Sequence, residues 1–169
     1  MNAGDASAFD ALYFRHREWV VRLAVRFTGN DADALDVLQE TFSYLLRKFP
    51  GFRLTASLTT FLYPVVKHLA LAARKKTLRL VNDDVALDAV PDRNYANPQG
   101  SRSELVEVLA SLPDTHREVL LMRFVDGLSL AEIGEALGIP LGTVKSRLHN
   151  GLSALRDDPR ARRYFEVSS

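Results

Sequence analysis

The sequence contains no cysteine, which excludes a disulfide framework, a thiolate zinc site and a cysteine nucleophile. It also has no apolar run of the roughly 18 residues that a membrane-spanning helix needs. Its opening residues, MNAGDASAFD, carry neither the basic nor the apolar segment of a secretory signal. These absences predict a soluble protein of the cytoplasm that does not insert into a membrane.

An excess of one charge is also missing, because 22 lysines and arginines face 21 aspartates and glutamates, for a net charge of +1. Nucleic-acid binders usually carry a basic excess, so the total argues against one. The distribution of charge along the chain is more informative than the total. Residues 1–76 hold 11 basic and 7 acidic residues (+4), residues 77–100 hold 2 and 4 (−2), and residues 101–169 hold 9 and 10 (−1). The cations therefore gather in short stretches, although a basic run is also typical of a plain solvated helix face.

The four histidines are scattered singly along the 169 residues, without the spacing of a metal or catalytic site. His149 in particular has no carboxylate or nucleophile placed to work with it. We therefore predict a protein that is not an enzyme and that needs no metal or other cofactor.

Apolar residues recur at spacings of three and four, as they do on amphipathic helices. Three such stripes cover residues 9–27, 35–49 and 61–73, and no convincing alternation of period two appears. Pro64 lies inside the third stripe. Because proline removes a backbone donor and clashes with the preceding turn, we expect this helix to kink or to start later.

Residues 81–100 collect aspartates, asparagines, two prolines and a closing glycine, which favour loop structure. Twenty residues without structure are unusual inside one domain, so a linker is the better interpretation. The predicted fold is all-α, with two small helical bundles joined by a flexible linker. Its predicted parts are a first domain over 1–76, a linker over 77–100, a second domain over 101–160 and a tail over 161–169.

The strongest local pattern is SLAEIGEALGIPLGTVKSRLHNGLSALR, from Ser129 to Arg156. Ser129 and Glu132 have the spacing of a capping box at a helix start. Gly138 is placed to end that helix in a left-handed conformation, and Pro140 suits the start of the next helix. Two helices joined by a short glycine-containing turn predict a helix-turn-helix.

The second of these helices has an apolar and a polar side when residues are placed at 100° intervals. The side predicted to be buried consists of Leu141, Val144, Leu148, Leu152 and Leu155. The polar side carries hydroxyl, imidazole and amide groups that can bond to base edges, flanked by cations that can meet phosphates. The predicted DNA-binding residues are Thr143, Lys145, Ser146, Arg147, His149 and Asn150. A purely structural hairpin would show the same caps and stripe, but the absence of Asp and Glu on this face favours the major groove of DNA.

In the helix over residues 33–48, the face opposite the apolar stripe is polar. It consists of Asp36, Gln39, Glu40, Ser43 and Arg47. A solvated face is the default interpretation of such a pattern. The alternative is a docking surface for a basic partner helix, since these side chains align at spacings of three and four. The pattern alone leaves both possibilities open.

The segment that follows interleaves aromatic residues with cations, as proteins that bind single-stranded DNA do. The aromatic residues are Phe52, Phe61 and Tyr63, and the cationic or imidazole side chains are Arg53, Lys67, His68, Arg74, Lys75 and Lys76. The rings would stack on bases while the cations follow the backbone. The alternative is that Phe61 and Tyr63 belong to the core and the basic triplet is an exposed helix end.

Three stretches resemble bacterial sigma factors of the extracytoplasmic-function type. DALDVLQETFSYLLRKF is similar to the family's helix that docks on the coiled coil of the polymerase largest subunit. ASLTTFLYPVVKHLALAARKK resembles the part that binds the promoter −10 element. LPDTHREVLLMRFVDGLSLAEIGEALGIPLGTVKSRLHNGLSALR resembles the domain that binds the −35 element. The resemblance extends over about residues 5–156.

The resemblance implies a promoter-specificity subunit whose partners are core RNA polymerase, promoter DNA and an anti-sigma protein. It implies that Asp36, Gln39 and Glu40 contact the polymerase. It further implies that Lys67, His68 and residues 74–76 lie near melted −10 DNA, and that residues 145–147, 149 and 150 face the −35 major groove. Alternatives from other classes are a sigma-like decoy that binds only an anti-sigma protein and a stand-alone helix-turn-helix regulator.

The chain departs from the family's usual pattern at four positions. Pro64 stands where a cation is common, and His68 stands where asparagine is usual. Asn150 and Gly151 stand where Arg-Ala is frequent, and an interior glycine costs a helix about 0.5–1 kcal/mol relative to alanine. These departures predict a non-standard promoter, and the near-neutral total charge predicts weak DNA binding by the chain alone.

Overall fold

The computed structural model describes residues 6–49, 51, 53–84 and 101–166. Within these residues the chain forms α-helices and no strand, which confirms the all-α prediction. The helices are α1 (Ala6–Thr28), α2 (Asp31–Lys48), α3 (Leu58–Asp84), α4 (Ser101–Ser111), α5 (Asp114–Phe124), α6 (Leu130–Leu137), α7 (Leu141–Asp157) and α8 (Pro159–Glu166). The chain divides into two compact units, residues 1–94 and 95–169. Most of the predicted linker lies outside the described residues.

In the first unit, α1 and α2 meet at a tight turn. Gly29 adopts a φ of 81°, which is a left-handed conformation that glycine accepts without strain. Asn30 then caps α2, because its side-chain oxygen accepts a hydrogen bond from the Asp33 backbone N–H at 2.8 Å. Aspartates in the first turn of α2, and Arg47 and Lys48 in its last turn, complement the helix dipole.

The core of the first unit is formed by all three helices. Its buried apolar residues are Trp19, Val20, Leu23, Ala24, Ala34, Val37, Leu38, Phe42, Leu45, Leu58, Leu62, Tyr63, Val66 and Ala70. The Tyr63 ring lies edge-on to Phe27, with centroids 6.4 Å apart. Because Tyr63 is fully buried, it belongs to the core and does not present its ring to a base. Phe52 lies outside the described residues.

The sequence predicted a kink at Pro64 or a later start. Helix α3 begins at Leu58, six positions before Pro64, so it does not start later. Ser57 explains this early start. Its side-chain oxygen accepts from the Thr60 N–H at 3.3 Å, and its carbonyl accepts from the Phe61 N–H at 3.1 Å. This capping, together with the burial of the following apolar residues, outweighs the proline. The Pro64 ring is exposed.

Two helices extend past predicted boundaries. Helix α3 continues to Asp84, eight residues beyond residue 76, where the first domain was predicted to end. Helix α8 covers Pro159–Glu166, so most of the segment taken as a tail is helical. Ala161 on α8 is fully buried in the core of the second unit, beside Leu112 and Leu155.

The start of α8 is held by Asp158. Its carboxylate accepts from the Arg160 backbone N–H at 2.8 Å and from the Arg160 guanidinium at 2.8 and 3.1 Å. These hydrogen bonds hold the pKa of the Asp158 carboxyl below its ordinary value. Arg160 therefore contributes to the local structure of the second unit.

Candidate nucleic-acid interface

The helix-turn-helix is formed by α6 and α7. The Ser129 side chain accepts from the Glu132 N–H at 3.2 Å, and the Glu132 carboxylate accepts from the Ser129 N–H at 2.8 Å. This reciprocal pair is the predicted capping box. Gly138 ends α6 with a φ of 65°, as predicted, and Pro140 directly precedes α7. The local signals in the sequence therefore place both helices correctly.

Two glycines allow α7 to pack closely against its neighbours. A Cβ on Gly134 would lie 3.0 Å from the Ile139 carbonyl oxygen and 3.6 Å from the Val144 side chain. A Cβ on Gly151 would lie 2.8 Å from Cδ1 and 3.2 Å from Cγ of Leu120 on α5. The sequence suggested Gly151 only as a cost to the helix. The structure corrects this interpretation, since the missing side chain is what lets α5 and α7 approach.

The apolar side of α7 differs from its prediction at one end. Val144 and Leu155 are buried, and Leu148 and Leu152 are half-buried against the same core. Leu141 is 45% exposed, so its predicted burial is wrong. At the first position of α7, the Leu141 backbone nitrogen faces Gly134 while its side chain remains in contact with solvent.

The predicted DNA-binding residues of α7 lie on its accessible side. Lys145, Ser146, His149 and Asn150 are exposed, and Thr143 and Arg147 are half-buried. The Ser146 hydroxyl donates to the Thr143 carbonyl at 3.0 Å, so its oxygen remains able to accept a further hydrogen bond. We name this surface the recognition face. It combines hydroxyl, imidazole and amide groups with two cations.

The polar residues predicted on α2 are all accessible to a partner. Asp36, Gln39, Glu40, Ser43 and Arg47 are exposed, while the opposite side of α2 is buried in the core. We name this surface the α2 face. Its two carboxylates lie one turn apart, as a docking surface for a basic helix requires.

A groove between α2 and α3 brings together residues that the sequence assigned to different partners. Glu40, Ser43, Tyr44 and Arg47 line its α2 side, and Pro64, Val65, His68 and Leu69 line its α3 side. His68, a predicted DNA-binding residue, thus faces predicted polymerase-binding residues.

Some lining residues of this groove were missed by the sequence reasoning. Tyr44 is half-buried and stacks on Phe61, with centroids 6.3 Å apart and an angle of 22° between the rings. The sequence did contain one indication of this position. Tyr44 follows Glu40 by four residues, so the two side chains lie on the same side of α2. Pro64 also lines the groove, whereas the sequence suggested only a disturbed helix backbone and the loss of a cation at this position.

The residues predicted near −10 DNA do not form one continuous face. His68, Lys75 and Lys76 on α3 and Arg53 before it are exposed, whereas Lys67 and Arg74 are half-buried. The Lys67 ammonium lies 5.8 Å from the centre of the Phe27 ring on α1, so it points away from the groove that contains His68. Of the predicted −10 residues, Lys75 and Lys76 are the exposed cations that are adjacent in the sequence, and Arg53 is exposed at a separate place.

Across the described residues, no helix combines the length and low charge that crossing a bilayer requires. The same residues contain no cluster of three or more acidic or histidine side chains placed to hold a metal ion.

Two family models match the chain, Sigma-70 region 2 over residues 12–79 and Sigma-70 region 4 over residues 108–157. They define a sigma-70-type protein whose helix-turn-helix falls within region 4. The ECF RNA polymerase sigma factor SigW of Bacillus subtilis (strain 168) is 32% identical over 168 residues, which cover 90% of this chain and 89% of the relative. The chain belongs to the extracytoplasmic-function (ECF) family of RNA polymerase sigma factors.

A second relative supports this assignment, and a solved structure shares the fold. The ECF RNA polymerase sigma factor SigE of Mycolicibacterium smegmatis is 35% identical over 165 residues, which cover 91% of this chain and 63% of the relative. The sigma factor RpoE of Bartonella quintana, crystallised with the anti-sigma factor NepR, has a TM-score of 0.65. The similarity covers 90% of this chain and 96% of that chain at 19% identity, so it shows a shared fold.

Proposed function

We propose that this chain is the promoter-specificity subunit of a bacterial RNA polymerase. The observation that carries the proposal is the recognition face on α7, whose predicted contact residues include two cations and no carboxylate. The same chain also contains a unit that matches Sigma-70 region 2. The two relatives described above are named RNA polymerase sigma factors. The role assigned is recruitment and positioning, with no catalytic step of its own.

In this proposal α7 reads the −35 element in the major groove. Exposed His149 and Asn150 contact base edges, because imidazole and amide groups can distinguish the donor and acceptor patterns of base pairs. Lys145 and Arg147 contact phosphates and thereby set the register of the helix on the duplex. Gly134 and Gly151 hold α7 close to α6 and α5, so that the recognition face is presented by a well-packed helix.

The first unit then captures the opened −10 strand. Lys75 and Lys76 lie on α3, as His68 does, and all three side chains are exposed. The two lysines provide positive charge for the phosphate backbone of a single DNA strand. Unstacking bases costs about a few kcal/mol per step. Contacts with the extruded bases and with the backbone offset that cost.

Recruitment of core polymerase is assigned to the α2 face. Its carboxylates, Asp36 and Glu40, are complementary in charge to a basic helix of the partner. An anti-sigma protein is the second proposed partner, since the Bartonella quintana neighbour was crystallised with one. We place the protein in the cytoplasm, where polymerase and DNA are available to it.

Reconstitution of the chain with core polymerase tests this function directly. DNA selected from a random pool by the reconstituted complex is expected to contain a −35 and a −10 element, and run-off transcription from it should depend on the chain. A decoy would bind an anti-sigma protein with no selected DNA and no transcript. A stand-alone regulator would select a palindrome without polymerase, as dimeric helix-turn-helix proteins do. Either of these results would overturn the proposal.

The salt dependence of DNA binding tests the roles on the recognition face. Lys145→Ala and Arg147→Ala are each expected to weaken binding to every sequence and to lower the slope of log K against log salt by about 1. The reason is that each phosphate contact releases about one counterion. Affinities of the holoenzyme for promoter fragments at several salt concentrations provide the measurement.

His149→Ala is the matched variant for this series, since it removes an exposed side chain from the same face. We expect it to relax the preference at particular base pairs while leaving the salt slope unchanged. A slope that stays at the wild-type value in both cation variants would remove Lys145 and Arg147 from the phosphate contacts.

A further inference from the structure

A chain of hydrogen bonds connects the start of α2 with the distal part of α3. The Asn30 side chain accepts from the Asp33 N–H at 2.8 Å and donates to the Asp33 carboxylate at 2.8 Å. The same carboxylate oxygen of Asp33 accepts from the Thr77 hydroxyl at 2.9 Å. Thr77 and Asp33 are 44 positions apart in the sequence, and both are half-buried. The N-terminal cap of α2 therefore also holds α3.

This connection acts on the part of α3 that carries the exposed cations. Thr77 directly follows Arg74, Lys75 and Lys76. Pro64 lies between the N-terminal part of α3 and these residues, and it has no N–H to donate to the carbonyl four residues earlier. Interior prolines are the usual sites where helices bend. A helix that lacks this hydrogen bond can bend at the proline, so a tertiary contact beyond Pro64 constrains the direction of the basic segment.

Apolar packing provides little further support beyond Thr77. Leu78, Leu80 and Val81 are 37%, 59% and 49% exposed. The side chain of Ala70, seven residues before Thr77, is the nearest preceding fully buried one on α3. The bond from Thr77 to Asp33 thus lies where the hydrophobic contact between α3 and the rest of the unit has become sparse.

We propose that Thr77 is a positioning residue for promoter opening. Its hydroxyl, bonded to Asp33, holds the Lys75–Lys76 segment at a set distance from the α2 face, so that polymerase docking also places these cations beside the −10 strand. Thr77 itself does not contact DNA. This inference rests on the proposed function, in which α3 binds the opened strand.

Thr77→Val removes the hydroxyl and preserves the shape of the side chain, whereas Thr77→Ser retains the hydroxyl. In the reconstituted holoenzyme, we expect Thr77→Val to reduce the equilibrium constant for opening at the −10 element by about tenfold, measured with a fluorescent base analogue. A tenfold change corresponds to about 1.4 kcal/mol. The affinity for core polymerase should change by less than about twofold, and Thr77→Ser should restore opening. Thr115→Val, on exposed α5 surface, is the control for loss of a threonine hydroxyl.

A double-mutant cycle with Asp33→Ala assigns the effect to the hydrogen bond. If Thr77 acts through Asp33, the second substitution adds little to the first. Additive losses would overturn the inference, as would wild-type opening in Thr77→Val. It would also be overturned if opening and core affinity fell together and Thr77→Ser restored neither, because the effect would then be general destabilisation.

The failure of this inference is distinguishable from failure of the proposed function. The double variant Lys75→Ala/Lys76→Ala is measured in the same opening assay. If that variant opens DNA like the wild type, the proposed role of α3 at −10 is wrong. If it loses opening while Thr77→Val retains it, only the positioning role of Thr77 is wrong.

Discussion

Changing both Asp36 and Glu40 to lysine is expected to weaken the affinity of the chain for core RNA polymerase by about a hundredfold or more. Both side chains are exposed on α2, one turn apart, and neither supports the core. If the partner helix is basic, each substitution replaces an attraction with a repulsion, and like charges brought together at an interface cost about several kcal/mol. A loss of about 2.8 kcal/mol is a hundredfold. Equilibrium titration of labelled core polymerase with each variant provides the measurement.

The matched control reverses two exposed acidic residues on another helix. Asp10→Lys/Glu18→Lys on α1 changes the net charge of the chain by the same amount. This variant is expected to leave the affinity for core polymerase within about threefold of wild type. The reason is that a change in net charge away from the interface acts only through long-range electrostatic steering. Equal losses in the two double variants would show that total charge, and not the α2 face, governs binding. Wild-type affinity in the α2 variant would remove this face from the interface.

Alanine at two glycines of α7 is expected to change stability in opposite directions. Gly151→Ala should lower the free energy of unfolding by about 1 kcal/mol, because the new Cβ meets buried Leu120 at 2.8 Å. Overpacking of a core costs about 1–3 kcal/mol, and this exceeds the gain of about 0.5–1 kcal/mol in helix propensity. Gly142→Ala has no atom within 4 Å of the new Cβ. It should therefore raise stability by about 0.4–1 kcal/mol.

Urea unfolding followed by circular dichroism measures both changes. The chain has one tryptophan, Trp19, which lies in the first unit, so its fluorescence reports that unit and should show an unchanged midpoint in both variants. Gly151→Val, which adds two more methyl groups towards α5, should cost about 3 kcal/mol or more. Stabilisation by Gly151→Ala comparable with that by Gly142→Ala would contradict the close packing of α5 and α7.

A substitution of Leu120 tests the contact between this residue and position 151 directly. Leu120→Ala alone should cost about 2–5 kcal/mol, as expected for a buried leucine. Combined with Gly151→Ala, it should cost less than the sum of the two single changes, since the new methyl group enters the space that the leucine leaves. Strict additivity would show that the loss of stability in Gly151→Ala does not come from its contact with Leu120.

The features that were predicted correctly depend on residues close together in the chain. Ser129, Glu132 and Gly138 determine the start and end of α6 through interactions that span three or four positions. The exposed sides of α2 and α7 follow from helical periodicity, which also needs no knowledge of distant residues. For this reason the candidate polymerase and −35 residues were found on accessible surfaces.

The features that were missed depend on burial, which a short stretch of sequence does not report. The exposure of Leu141 depends on where α6 ends beside α7. The start of α3 before Pro64 depends on the balance between helix capping and the burial of apolar side chains on one hand and the proline on the other. Helix α8 has only eight residues, and Ala161 is the member of the buried cluster among those of its side chains that the structure describes. Eight residues make little more than two turns, which is too short for an apolar periodicity to indicate burial.

By itself, the sequence determined an all-α protein, the helix-turn-helix, the distribution of charge and the resemblance to ECF sigma factors, because helix periodicity, capping and composition are local properties. Only the tertiary structure decided that Gly151 permits contact with Leu120, that His68 and Glu40 line one groove, and that Thr77 bonds to Asp33. Each of these depends on how helices pack. Packing is set by the shape of many side chains at once, which no single stretch of the chain encodes.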